Sequence, residues 1–127
     1  MKLDPDCIRD VLLTVEKHAT FSQEVKPQAF ADDGLLEKYD METLLYHIRE
    51  TSNSGLISGL TFYMSRSFVI KDLTPEGHEF LANIRSEENW KKTKSIAAKT
   101  GSFSLEVLKA TASGVTIAFL NKLLGQQ

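Results

Sequence analysis

Intramolecular disulfide pairing is excluded from the outset, because the 127 residues contain a single cysteine, Cys7, and a chain of this size without cysteine pairs is not a disulfide-stapled scaffold. Glycine is also scarce, at seven residues, and none falls in a Walker loop or a dinucleotide fingerprint, which removes the usual phosphate-cradling motifs. Serines and carboxylates are present, but no Gly-x-Ser-x-Gly elbow or other catalytic constellation is recognisable, so the sequence predicts a protein that is not an enzyme. The three histidines, His18, His47 and His78, lack the i, i+4 or Cys-x-x-Cys spacing of a zinc site, so no metal or other cofactor is expected. Long hydrophobic runs are missing too. The longest uncharged run in the C-terminal part, Ala110 to Asn121, has 12 residues against the roughly 20 needed to cross a bilayer. Met1 to Asp10 is charged rather than apolar and is not a signal peptide. A cytoplasmic protein without membrane contact is the expectation.

Net charge of one sign is absent from the whole chain, with 15 Lys plus Arg against 17 Asp plus Glu, but not from its parts. Residues 1–50 sum to −5, residues 51–90 to −2 and residues 91–127 to +5. A basic tail behind an acidic body either binds phosphates or docks on its own body or on a partner subunit.

Hydrophobic periodicity supplies the architecture. Ile8, Val11, Leu12, Val15 and Ala19 form one helical stripe behind Asp4 and Pro5, an N-cap followed by a first-turn proline. Between Thr20 and Asp33 the pattern breaks around Pro27, leaving at most a short strand near Gln28 to Ala31, and Gly34 to Tyr39 can add one helical turn. Met41, Leu44, Leu45 and Ile48 then mark a helix capped by Asp40 and stopped by Asn53, Ser54 and Gly55, with Gly55 suited to a left-handed cap. Leu56 to Met64 and Phe68 to Leu73 read as a β-hairpin turning at Ser65, Arg66 and Ser67. Thr74, Pro75 and Glu76 open a further helix, in which Gly77 on the apolar side implies a close neighbour.

After Ile84 the composition becomes basic, with Lys91, Lys92, Lys94 and Lys99 around Trp90 and a break at Gly101. A last helix starts near Ser104. Its stripe Leu108, Ala112, Val115, Phe119 and Leu123 lies nearly opposite Ile117, Leu120 and Leu124. A helix apolar on two sides needs two neighbours, one of them most simply a second copy of the chain. The fold class expected is α+β: a winged helix-turn-helix-like domain over residues 1–86 with a two-stranded wing, then a C-terminal helical tail over residues 87–127 formed by a basic linker helix and an apolar helix.

Tyr46-His47-Ile48, Gly55-Leu56-Ile57, the run from Leu73 to Leu81 and Trp90-Lys91-Lys92, taken as an ordered set, resemble domain of unknown function family 2513, found in bacteria and their prophages. The resemblance covers nearly the whole chain. It implies a small winged-helix-like protein without an established activity, so it carries no site residue across. Phe21 to Tyr39 contains no recognisable first helix of a helix-turn-helix.

Two functions follow. In the first, the chain binds double-stranded DNA as a regulator, with Thr43, Tyr46, His47, Arg49 and Asn53 facing the major groove, Arg66 and Lys71 on the wing, and Lys91, Lys92 and Lys94 on the backbone. Asp40, Glu42 and Glu50 on the same helix oppose this by repelling phosphates. In the second, the chain is a protein-interaction module that forms a homo-oligomer through Val115, Ile117, Phe119, Leu120 and Leu124. For Trp90, closing the edge of a core is the commoner role than stacking on a base.

Overall fold

In the computed structural model, which describes residues 1–101 and 103–125, the chain is α+β and divides into two compact units, Met1–His78 and Glu79–Gln127. In the first, helix α1 (Pro5–His18) starts where Asp4 accepts the Asp6 amide at 3.0 Å. It buries Ile8, Val11, Leu12 and Val15 completely, each side chain contributing about 1.5–3 kcal/mol. Helix α2 (Pro27–Asp32) replaces the short strand expected at Gln28 to Ala31. Pro27 opens this helix rather than breaking the chain, its missing N–H being one that a first turn leaves unbonded anyway. Helix α3 (Leu35–Lys38) is the single turn expected there, and α4 (Met41–Asn53) follows with Asp40 accepting the Thr43 amide at 2.7 Å.

Side chains tie these helices together. Asp10 of α1 accepts from the Lys38 ammonium at 3.0 Å and the Tyr39 hydroxyl at 2.8 Å. Lys38 is accordingly held above its ordinary pKa by Asp10, and Tyr39 above its own by burial and then by the same carboxylate. At the other end of α1, Asp33 accepts from Lys17 and contacts His18 Nε2 at 2.9 Å. α1 packs on α2, on α4 and on the last strand of the hairpin described next.

α4 ends in a Schellman arrangement. The Leu56 amide reaches back to the Thr51 carbonyl at 3.1 Å and the Gly55 amide to that of Ser52 at 2.9 Å, with Gly55 at φ +76°. The hairpin consists of β1 (Ile57–Ser58), β2 (Thr61–Phe62), β3 (Phe68–Val69) and β4 (Asp72–Leu73). β1 pairs with β4 and β2 with β3, both antiparallel and in one continuous register, from Ile57 opposite Leu73 to Phe62 opposite Phe68. Gly59 and Leu60 interrupt the ladder, and there Ile70 pairs instead with Val25, through reciprocal backbone bonds of 2.8 and 2.9 Å. The returning strand therefore has partners on both sides.

Helix α5 (Pro75–Ile84) is capped by Thr74, whose hydroxyl accepts the Gly77 amide and donates to the Gly55 carbonyl at 2.6 Å. A Cβ on Gly77 would lie 2.0 Å from the Leu56 carbonyl oxygen, which is the close neighbour its sequence position implied. In the second unit, α6 (Glu87–Ala98) starts at Ser86, which accepts the Asn89 amide at 3.1 Å. Helix α7 (Leu105–Leu124) starts at Ser104, which accepts the Val107 amide at 3.2 Å. α6 and α7 pack on each other and bury Trp90, Thr93, Ala97, Leu108, Ala112 and Val115.

By length and composition α7 is long and apolar enough to cross a membrane, with 11% of its most apolar window buried. The 12-residue run counted from the sequence stops short of Lys109 and Lys122, whereas the helix continues past both.

Candidate nucleic-acid interface

The outward side of α4 and the tip of the hairpin meet across a shallow depression of about 400 Å³, lined by Met1, Glu42, Leu45, Tyr46, Arg49 and Phe62. At the tip, the Ser67 carbonyl accepts the Tyr63 amide at 2.8 Å and the Tyr63 carbonyl accepts the Arg66 amide at 3.2 Å. Arg66 sits at φ +63°, a left-handed conformation in which a side chain other than glycine is uncommon. That backbone turns the arginine toward α4, where its guanidinium pairs with Glu42 in the first turn. Both side chains are 62% exposed, so the pair contributes at most about 1 kcal/mol and yields to a competing anion.

The other residues expected on this face divide by burial. Arg49 is exposed, stacks its guanidinium over the Tyr46 ring at 5.6 Å and lies 4.0 Å from Glu50. Asn53 is exposed and donates to Glu50 at 3.3 Å, while Thr43 and Tyr46 are half-buried. Lys71 is exposed between β3 and β4. Asp40, spent on the helix cap, is held below its ordinary pKa by the bond from the Thr43 backbone amide.

His47 is not on this face at all. It is 0% exposed, in contrast to the outward position expected for it. Its Nε2 accepts the Asp4 backbone amide at 2.7 Å and its Nδ1 donates to the Thr43 carbonyl at 2.7 Å. Those partners define a neutral imidazole protonated on Nδ1, assigned from the bonding pattern. The ring sits between α4 and the start of α1 and has no nitrogen left for a base or a phosphate. The helical stripe Met41, Leu44, Leu45, Ile48 leaves position 47 at the edge of the buried side, where apolarity alone does not mark a histidine as internal.

In the second unit, Lys91 is exposed, Lys92 pairs with Glu88 at 3.3 Å one helical turn away, and Lys94 lies 5.3 Å from the centre of the Trp90 ring. Trp90 is buried, at 2% exposure, and so packs rather than offering a stacking platform. Of the residues expected at an oligomer interface, Ile117, Phe119, Leu120 and Leu124 are 48–63% exposed. Val115 differs, being 8% exposed, because it belongs to the buried stripe against α6. Among the described residues no three of His, Cys, Asp and Glu converge as metal ligands.

Chemically, the first unit offers a small, nearly neutral face: Arg49, Arg66 and Lys71 against Glu42 and Glu50, with one amide, Asn53, and an apolar tip of Phe62, Tyr63 and Met64. The pairing of Arg66 with Glu42, 24 positions apart in the chain, had no signal in the sequence.

Comparison with known proteins gives kinship without a function. A protein of Haemophilus influenzae described as uncharacterised is 30% identical over 118 residues, covering 91% of this chain and 95% of its own length. No solved structure matches the chain. The model of a family described as hypothetical protein (DUF2513) matches residues 2–104, which takes in the first unit, α5 and α6, and the chain belongs to that family.

Proposed function

We propose that this chain is a DNA-binding winged-helix protein, a regulator of bacterial or prophage genes, that presents α4 to the major groove and the hairpin tip to the flanking backbone. The observation that carries the reading is the pairing of Val25 with Ile70. It sets one bridged residue of the α1–α2 connection beside the returning strand of the hairpin. The order becomes helix, bridged segment, helices, helix and a two-stranded wing, with α2 and α3 filling the segment in which the sequence showed no first helix. The reach of Arg66 to the first turn of α4 supports it further, since tip and helix then share one face.

On that face Arg49 and Asn53 are the side chains with donors suited to base edges, while Arg66 and Lys71 suit phosphates. Lys91, Lys92 and Lys94 supply further positive charge along the chain. This reading is of a cytoplasmic binding protein rather than an enzyme. Electrophoretic retardation of mixed-sequence duplexes by the full chain at low salt tests it. Arg49→Ala with Asn53→Ala is expected to lower affinity for the preferred duplex by at least tenfold, at about 1–3 kcal/mol per base contact. Unchanged retardation of every duplex by that double variant would remove α4 from the interface.

A second reading, a protein-interaction module without nucleic-acid binding, is favoured by one feature of the same face. Phe62, Tyr63 and Met64 at the tip are 42%, 52% and 105% exposed, and phosphate contacts need none of them. Retardation that survives Met64→Ser but not Arg66→Ala separates the two.

A further inference from the structure

The C-terminal half of α7 is apolar and exposed among the described residues. Beyond Val115 no described residue of the helix is buried, although Ile117, Phe119, Leu120, Leu123 and Leu124 lie there at 48–63% exposure. At 100° per residue these five span an arc of about 160°. Phe119 and Leu123 extend the stripe that packs on α6, but Ile117, Leu120 and Leu124 stand apart from it, spaced i, i+3 and i+7.

The geometry points to a second copy of this chain as the occupant of that ridge, with two α7 helices pairing in parallel as a short two-stranded coiled coil. Three observations select a second copy. Ser113, Ile117, Leu120 and Leu124 follow the alternating four- and three-residue steps of a heptad seam. Ile117 falls at the first-type core position and Leu120 at the second, the combination that favours two strands, with Leu124 repeating the first-type position and Ser113 the second. The flanking positions, Thr116, Asn121 and Leu123, carry no charge, so an identical helix meets no repulsion there.

Leu123, at a flanking position, adds apolar surface beside the seam, whereas Phe119 is turned away from it toward the stripe on α6.

The test uses the full chain in solution. Light scattering coupled to size exclusion is expected to give twice the 14.2 kDa of one chain. Leu120→Asp and Ile117→Asp, both at exposed positions, are expected to give the single-chain mass with unchanged circular dichroism. Leu120→Cys, at the seam, is expected to form an intermolecular disulfide on mild oxidation, whereas Lys122→Cys, turned away from it, is not. Native Cys7 does not compete, being buried. A monomeric wild type at about 100 µM, well above typical homodimer dissociation constants, would overturn the proposal, as would a mass other than two chains. Flotation of an otherwise monomeric chain with phosphatidylcholine and phosphatidylglycerol vesicles would overturn it in favour of a membrane surface as the occupant.

Discussion

One buried side chain limits what the outer face of α4 can offer. His47 is the internal clamp between α4 and the N-cap residue of α1, bonded at both ring nitrogens. Truncation to alanine removes a packed ring and leaves the Asp4 amide without its acceptor, at a cost of about 2–4 kcal/mol. A urea midpoint lowered accordingly is expected for His47→Ala, against a change within about 0.5 kcal/mol for the exposed Arg49→Ala. Cys7, 0% exposed in α1, has its thiol pushed up to about 12 by burial first and then by Asp4 and Asp10. No reaction with a disulfide reagent is expected until the chain unfolds. Because the folded value lies above the ordinary 9.0, the thiol's contribution to stability is complete below that pH and is lost as pH rises toward the folded value. Thermal midpoints measured from about pH 8 to 11 are expected to fall less steeply in Cys7→Ala than in the wild type. At the acid end, burial works against Asp33, but the bonds from His18 and Lys17 outweigh it and hold its carboxyl below the ordinary 3.8. Its contribution is present above that pH and lost as pH falls through the lowered value. Asp33→Asn is expected to flatten that acid loss in a pH series of melting curves.

At the scale of elements, local chemistry decides most boundaries, and the strongest single constraint is the approach of α5 to Leu56. Ala at Gly77 would drive its Cβ to 2.0 Å from a backbone oxygen, and no rotamer relieves a clash with main chain. Gly77→Ala is therefore expected to destabilise by about 1–3 kcal/mol or more, although alanine is the better helix former by about 1 kcal/mol. A denaturant midpoint that rises in this variant would contradict the packing described. The same local signals made much of the fold legible in the sequence. Asp4 with Pro5, Asp40, Gly55, Thr74 with Pro75, and Ser104 mark element ends that the structure realises within a residue or two. α2 was not legible because six residues give fewer than two turns of periodicity, and its opening proline reads equally as a break. The pairing of Val25 with Ile70 was illegible for a different reason. It joins positions 45 apart through backbone groups, which leave no trace in side-chain pattern. The sequence reads as two continuous strands turning at Ser65 to Ser67, whereas Phe62 stands opposite Phe68 and the Tyr63 amide bonds the Ser67 carbonyl, so the turn comes one residue earlier, and nothing in an alternating pattern announces the positive φ of Gly59 that interrupts the ladder.

For the molecule as a whole, the candidate site was legible only in part. Arg49, Asn53, Arg66 and Lys71 lie exposed where sequence reasoning put them, yet the same reasoning placed His47 among them because a helical wheel cannot see a bond to the start of another helix. In the sequence Glu42 stands as a repulsive charge on α4, and only the folded hairpin makes it the partner of Arg66. Under the proposed DNA binding that pair would act as a competitor, since a phosphate would have to displace Glu42 to reach Arg66, and an exposed pair worth at most about 1 kcal/mol would allow this. Glu42→Gln removes the competitor and one repulsive charge together. The most direct measurement is fluorescence anisotropy of a labelled mixed-sequence duplex titrated with the full chain, wild type and Glu42→Gln side by side, over a salt series starting near 50 mM. Binding by both is expected, several-fold tighter for Glu42→Gln, falling steeply with salt, and with a slope reduced by about one when Arg66→Ala is introduced. Absence of duplex binding by both the wild type and Glu42→Gln at the lowest salt would contradict a nucleic-acid role for this face.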